Sequence, residues 1–140
     1  MPADVNTVAL REAVGSFNSK DDRERYFALY AEDALFHGYA PEDLHGTAAI
    51  RQFYDMVWSA FPDIHLSVED VVADGDRVAA RYQISGTHDG EFMGIPTTGK
   101  PIAVNGMTIF RFADGKVVER WQFLDTMAMM TQLGALPGPA

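Results

Sequence analysis

The sequence predicts a single α+β domain in which helices cover one side of a strongly curved antiparallel sheet. Three observations predict it. Apolar residues in the first third recur at spacings of three and four, the helical period. From Ile64 onward they alternate with more polar residues, the period-two signal of half-buried strands. Two Asp-Gly pairs, Asp74-Gly75 and Asp114-Gly115, separate alternating runs, as tight hairpin turns require. Helices segregated to one side of an antiparallel sheet define the α+β class, and a curved sheet so covered makes a cone with a pocket in its mouth.

The elements follow in order. Val5, Val8, Ala9, Glu12, Ala13 and Phe17 contain the face of a first helix. Lys20-Asp21-Asp22 starts a second, with Tyr26, Phe27, Leu29 and Tyr30 on its apolar side. Ala34-Leu35-Phe36-His37 is a short strand ended by a turn around Gly38 and Pro41. Thr47 caps a third helix near Gly46, with Ile50, Phe53, Tyr54, Val57 and Trp58 facing inward, and Phe61-Pro62-Asp63 stops it. Ile64, Leu66, Val68 and Val72 mark the first strand of a meander. Arg77 to His88, Lys100 to Phe112 and Lys116 to Asp125 form the others. Thr126 to Leu133 is a closing helix stopped by Gly134, and 137–140 reads as a loose tail after a domain spanning 1–136.

Composition excludes several functions. The chain has 140 residues, enough for one domain that buries about 70% of its unfolded surface. Its net charge of −9 argues against nucleic acid and against anionic membranes, both of which select Lys and Arg. With no cysteine, it has no disulfide, thiol nucleophile or Cys-ligated metal. No two histidines have metal-ligand spacing on one element, and the glycines fit no phosphate-binding motif, so neither metal nor organic cofactor is expected. No run is long enough to span a bilayer and the N-terminus lacks a signal-peptide pattern, which makes the cytoplasm the expected location.

Three stretches carry a more specific message. Gly46-Thr47-Ala48-Ala49-Ile50-Arg51-Gln52-Phe53-Tyr54 resembles the third-helix signature of the cone-shaped superfamily of nuclear transport factor 2, scytalone dehydratase, ketosteroid isomerase and limonene epoxide hydrolase. The loop Thr87-His88-Asp89-Gly90-Glu91-Phe92-Met93-Gly94-Ile95-Pro96-Thr97-Thr98-Gly99-Lys100, with Trp121 through Asp125 and Gln132-Leu133-Gly134, resembles the SnoaL-like polyketide (ester) cyclases within it. That resemblance covers nearly the whole chain. It implies the cone fold and makes Asp125 the match of the general acid/base in an intramolecular aldol closure. Ketosteroid isomerase activity is set aside: the strand Phe36-His37-Gly38-Tyr39 has no carboxylate, and Glu12-Ala13-Val14 has no tyrosine. For the Asp-Arg-Asp set of the epoxide hydrolases, Arg81 and Asp125 supply part, but no second inward Asp is evident.

The candidate residues each carry two readings. Asp125, if it points into the cone, shares its strand face with Phe123, Trp121 and Glu119, and aromatic walls would raise its pKa toward a useful range. It also precedes a helix, where Asp is a favoured N-cap. His88 shares parity with Val78, Ala80, Tyr82 and Ile84, which sets it near the pocket mouth as a partner of Asp125 or a donor to substrate; it also reads as a satisfied histidine at a strand end. His37 stands beside the turn at Gly38 and is a second pocket candidate. Tyr30, Tyr54 and Trp58, with Tyr26, read first as core and second as pocket lining; Tyr82, Trp121 and Phe123 complete the expected substrate-binding set. His65 is expected to face solvent.

The function expected is cofactor-free acid/base chemistry on a small apolar carbonyl compound, with a non-catalytic small-molecule-binding protein as the alternative. Arg81, Gln83, Thr87, Met107 and Ile109 form an outer sheet face suited to a homodimer.

Overall fold

The computed structural model describes residues 3–39 and 42–135. The expected tail at 137–140, and Pro41 of the expected turn, lie outside the described residues. The chain runs α1 (Ala3–Phe17), α2 (Arg23–Tyr26), a single 3-10 turn (Phe27–Leu29), β1 (Tyr30–His37), β2 (Leu44–His45) and α3 (Thr47–Ala60). It continues through β3 (His65–Asp74), β4 (Arg77–Thr87), β5 (Pro101–Ala113), β6 (Lys116–Leu124) and α4 (Thr126–Leu133). Among the described residues no helix is long and apolar enough to cross a membrane.

One curved sheet holds all six strands in the order β2-β1-β6-β5-β4-β3. The meander β3 to β6 is antiparallel throughout, as its Asp-Gly turns dictate. The sheet as a whole is mixed, because β1 lies parallel to β6. Nothing local sets that direction: a helix and four strands separate the two in sequence, so packing alone decides it. The helices cover the concave face and the core lies between.

Several local expectations shift. The buried face of α1 is Asn6, Leu10, Ala13 and Phe17, while Val5 and Val8 are exposed. Tyr30 belongs to β1 rather than to a helix, and the second helix is one turn long. Gly46 is the N-cap of α3, and the Thr47 hydroxyl donates instead to the Glu32 carbonyl at 2.9 Å. In β3 a register shift between Val68 and Asp70 reverses the alternation. Leu66 and Val68 therefore pack inward before it and Val71 and Ala73 after it, leaving Val72 68% exposed.

Two glycines matter for the cavity. Gly38, at φ +86°, lies so close to the Gln122 carbonyl that any side chain would collide with it. Gly106 faces the Tyr82 ring, which a Cβ would meet at 2.5 Å. Both let the backbone approach groups that line the cone.

Candidate functional site

Cross-strand pairing decides what β6 presents to the interior. Arg120 pairs with Phe110, Gln122 with Thr108 and Leu124 with Gly106. Phe110, Thr108 and Gly106 belong to the buried face of β5, so their partners face the cone. Trp121 pairs with Ile109 and Phe123 with Met107, on the outer face.

The interior holds a mostly apolar cavity of about 80 Å³, room for several waters, since one needs roughly 10–15 Å³. Phe17, Phe53, Val57, Ile64, Ile84 and Ile102 supply apolar walls. Tyr26, Tyr39, Tyr54, Tyr82, Arg120 and Gln122 supply the polar groups, and among the described residues no carboxylate or imidazole lines the cavity. An adjoining cavity of about 280 Å³ shares Tyr39, Phe53, Phe92, Gln122, Leu124 and Met129 and extends to the exposed residues Met93 and Thr126. It is the mouth.

Arg120 is 5% exposed and lacks any carboxylate partner among the described residues. Its Nη1 donates to the hydroxyls of Tyr30 at 2.8 Å, Tyr54 at 2.9 Å and Tyr26 at 3.1 Å. Its Nε donates to Thr108 Oγ1 at 2.9 Å, and Nη2 to Gln122 Oε1 at 3.2 Å. The guanidinium also lies over the rings of Phe110, at 4.4 Å, and Tyr39, at 5.4 Å. Polar acceptors and ring faces thus replace the hydration that burial removes. Tyr82 donates to Gln122 Oε1 at 2.6 Å. Burial pushes the phenols of Tyr26, Tyr30 and Tyr39 well up, and that of Tyr82 up to about 12. These hydroxyls keep their protons at neutral pH and act as donors as well as acceptors.

The structure redistributes the residues singled out from sequence. Asp125 is exposed, and its Oδ1 accepts the Ala128 N–H at 3.0 Å as the N-cap of α4. It lines an outer-face hollow with Asn105, Met107 and Phe123 rather than the cone. The expected shared face of Trp121, Phe123 and Asp125 is thereby corrected: it is the outer face, and Phe123 is 80% exposed. The reason is the pairing of Arg120 with Phe110, which turns the neighbouring position outward.

His88 keeps its inward parity but is wholly buried behind the cavity wall, stacked on Phe61 at 5.4 Å. Its Nδ1 accepts the Thr98 N–H at 3.2 Å, which leaves the proton on Nε2, buried without a partner among the described residues. Among the described residues no hydrogen bond links it to Asp125. His37 faces outward, stacked on Trp121 at 5.4 Å and held between Asp43 and Glu119, each at 2.8 Å. Tyr54 and Tyr82 line the cavity. Tyr30 lies behind it as a partner of Arg120, and Trp58 packs among Phe17, Tyr26, Phe27 and Tyr54. His65 is exposed.

Arg120, Gln122 and Tyr39 were not singled out by sequence reasoning. A signal existed: Val117, Arg120, Gln122 and Leu124 would share the inner face once a bulge between Val117 and Glu119 is allowed, and the ladder has its register shift there.

The comparisons agree with this architecture. Among curated proteins no match is found. Among solved structures, AclR of Streptomyces galilaeus, named as a candidate hydroxylase, is 29% identical with a TM-score of 0.86, over 97% of this chain and 100% of that one. A candidate SnoaL-like polyketide cyclase from Jannaschia sp. CCS1 is 26% identical with a TM-score of 0.86, over 98% and 97%. IdmH of Streptomyces antibioticus, a candidate polyketide cyclase, is 34% identical with a TM-score of 0.76, over 92% and 98%. The family model described as SnoaL-like polyketide cyclase matches residues 8–133, which takes in every strand and the whole lining of the cavity. By that match and by its cone fold, the chain belongs to the SnoaL-like polyketide cyclase family.

Proposed function

We propose that this protein is a cofactor-independent enzyme of polyketide-cyclase type, acting on a small, largely apolar carbonyl compound held in the cone. The observation that carries the reading is Arg120 and its tyrosines at the bottom of an apolar cavity. Fixed donors in a water-poor site stabilise a developing oxyanion far better than they would in water.

In this reading a proton leaves the carbon alpha to a carbonyl and passes to water in the mouth. The enolate oxygen rests on the Arg120 cluster. The enolate carbon attacks a second carbonyl of the same molecule, and the new alkoxide takes a proton back, so no atom is gained or lost. Asp125 contributes by capping α4, whose Met129 forms part of the cavity wall. His88 contributes by fixing the loop that follows β4 through Thr98.

A non-catalytic small-molecule-binding protein is the second reading. The absence of any carboxylate or imidazole among the described lining residues favours it. Incubation with linear 1,3-diketo esters, followed by chromatography and mass spectrometry, separates the two. A cyclised isomer formed above the blank rate, and lost in Arg120→Gln, supports the enzyme. Saturable binding of the same esters without any isomer supports the binding protein and contradicts the enzyme.

A further inference from the structure

A count of protons around Arg120 shows an excess of donors facing the cavity. A guanidinium has five N–H groups. Nη2 gives one of its two to Gln122, and the other has no acceptor among the described residues. Tyr26, Tyr30 and Tyr54 are joined by two hydrogen bonds, which use two of their three hydroxyl protons. With Tyr26 donating to Tyr54, and Tyr30 to Tyr26, the third proton stays on Tyr54, which lines the cavity. Tyr39 lines it too, is 7% exposed, and its buried hydroxyl has no partner among the described residues. The acceptor beside them, Gln122 Oε1, already takes two hydrogen bonds.

Charge points the same way. A buried cation normally has an anionic partner, because desolvation of a lone charge is costly. Arg120 has hydroxyl and amide oxygens and ring faces instead, and the Tyr26 and Tyr30 phenols, pushed up by burial, keep their protons and cannot serve as its counter-ion. The site is one negative charge short.

We propose that the cone takes its ligand as a compact oxyanion, the enolate of an acidic 1,3-dicarbonyl compound or a phenolate, with the charged oxygen received by Arg120 Nη2, Tyr54 and Tyr39. This rests on the reading that the cone is the ligand site and deepens it by assigning the ligand's charge. The proton lost on ionisation goes to solvent. A substrate acidified in this way needs no strong base from the protein, which fits walls without carboxylate or imidazole. Amines and other cations are excluded by Arg120.

The test uses 4-nitrophenol, whose phenolate is visible by absorbance, and 4-nitroanisole as its neutral counterpart. The phenolate should bind at least about tenfold more tightly than 4-nitroanisole by calorimetry, and the midpoint of bound 4-nitrophenol should fall by about one pH unit, the same factor read another way. Tyr39→Phe removes a hydroxyl without a protein partner, so it should fold normally; it should weaken phenolate binding severalfold and leave 4-nitroanisole unchanged. Equal binding of the two probes, or an unmoved midpoint, overturns the oxyanion inference while the cone remains a ligand site. Failure of both probes to bind counts against the cone reading and the inference together.

Discussion

Arg120 stands opposite Phe110 across the β5–β6 ladder, and this pairing turns Arg120 into the cone and Trp121 out of it. The buried guanidinium then organises Tyr26, Tyr30 and Tyr54 into one network. Tyr26 is its central member, bonded to both other tyrosines. Tyr26→Phe should therefore destabilise the protein by about 1–3 kcal/mol, the cost of leaving buried partners unsatisfied. Urea unfolding would measure it. A midpoint equal to wild type would mean that the network contributes little to the fold.

Asp125→Asn and Asp125→Ala separate capping from chemistry. Asn can still accept the Ala128 N–H, whereas Ala cannot. Asn should keep nearly full stability and ligand binding, while Ala should lose about 0.5–2 kcal/mol. Thermal melts check the first part and calorimetry the second. A normally folded Asn variant without turnover would give the carboxylate the acid/base role that the family resemblance implies.

Two chains are expected to pair through the outer sheet face. Val72, Met107, Ile109 and Phe123 lie exposed there, on a groove that also includes Arg81. Contiguous apolar patches of this kind commonly mark interfaces. Sedimentation should show a dimer at micromolar concentration, and Phe123→Glu should shift it to monomer. A wild-type monomer under those conditions contradicts the pairing.

His37 should titrate above the ordinary imidazole value of 6.5, chiefly because Glu119 accepts its hydrogen bond, with Asp43 adding to the effect. Glu119 is held below 4.5 chiefly by His37 and further by Arg111. A proton held more tightly in the folded state stabilises it fully below the unfolded pKa of His37, and the gain fades as pH rises through the folded one. The Glu119 contribution is present above its unfolded value and fades as pH falls through its lowered one. The clamp therefore contributes most between the lowered Glu119 value and the raised His37 value. Proton NMR should place the His37 midpoint above 6.5, and Asp43→Asn should lower it; a wild-type midpoint at or below 6.5 contradicts the clamp.

Local rules carried much of the fold and less of the site. Asp74-Gly75 and Asp114-Gly115 located their hairpins, and Val78, Ala80 and Tyr82 gave the inward face of β4, because turn chemistry and alternation are written in adjacent residues. The parallel pairing of β1 with β6 was not legible, since it depends on packing between segments far apart in sequence. The inner face of β6 was misread for a related reason. Trp121 and Phe123 are the more apolar pair, yet they occupy the outer face, while Arg120 is buried among tyrosine hydroxyls that no local pattern reveals. Hydrophobicity indicates which residues tend inward, but a buried network of polar groups can override it when its members bond one another, as Arg120, Tyr26, Tyr30 and Tyr54 do.

The most direct measurement is a crystal structure of the protein soaked with 4-nitrophenol above the pH at which it ionises. The account predicts the phenolate ring among Phe53, Val57 and Ile102, with its oxygen within hydrogen-bond distance of Arg120 Nη2 and the Tyr54 hydroxyl. A ring bound in reverse, with its nitro group on Arg120, or a ligand found only in the outer groove beside Phe123, would contradict it.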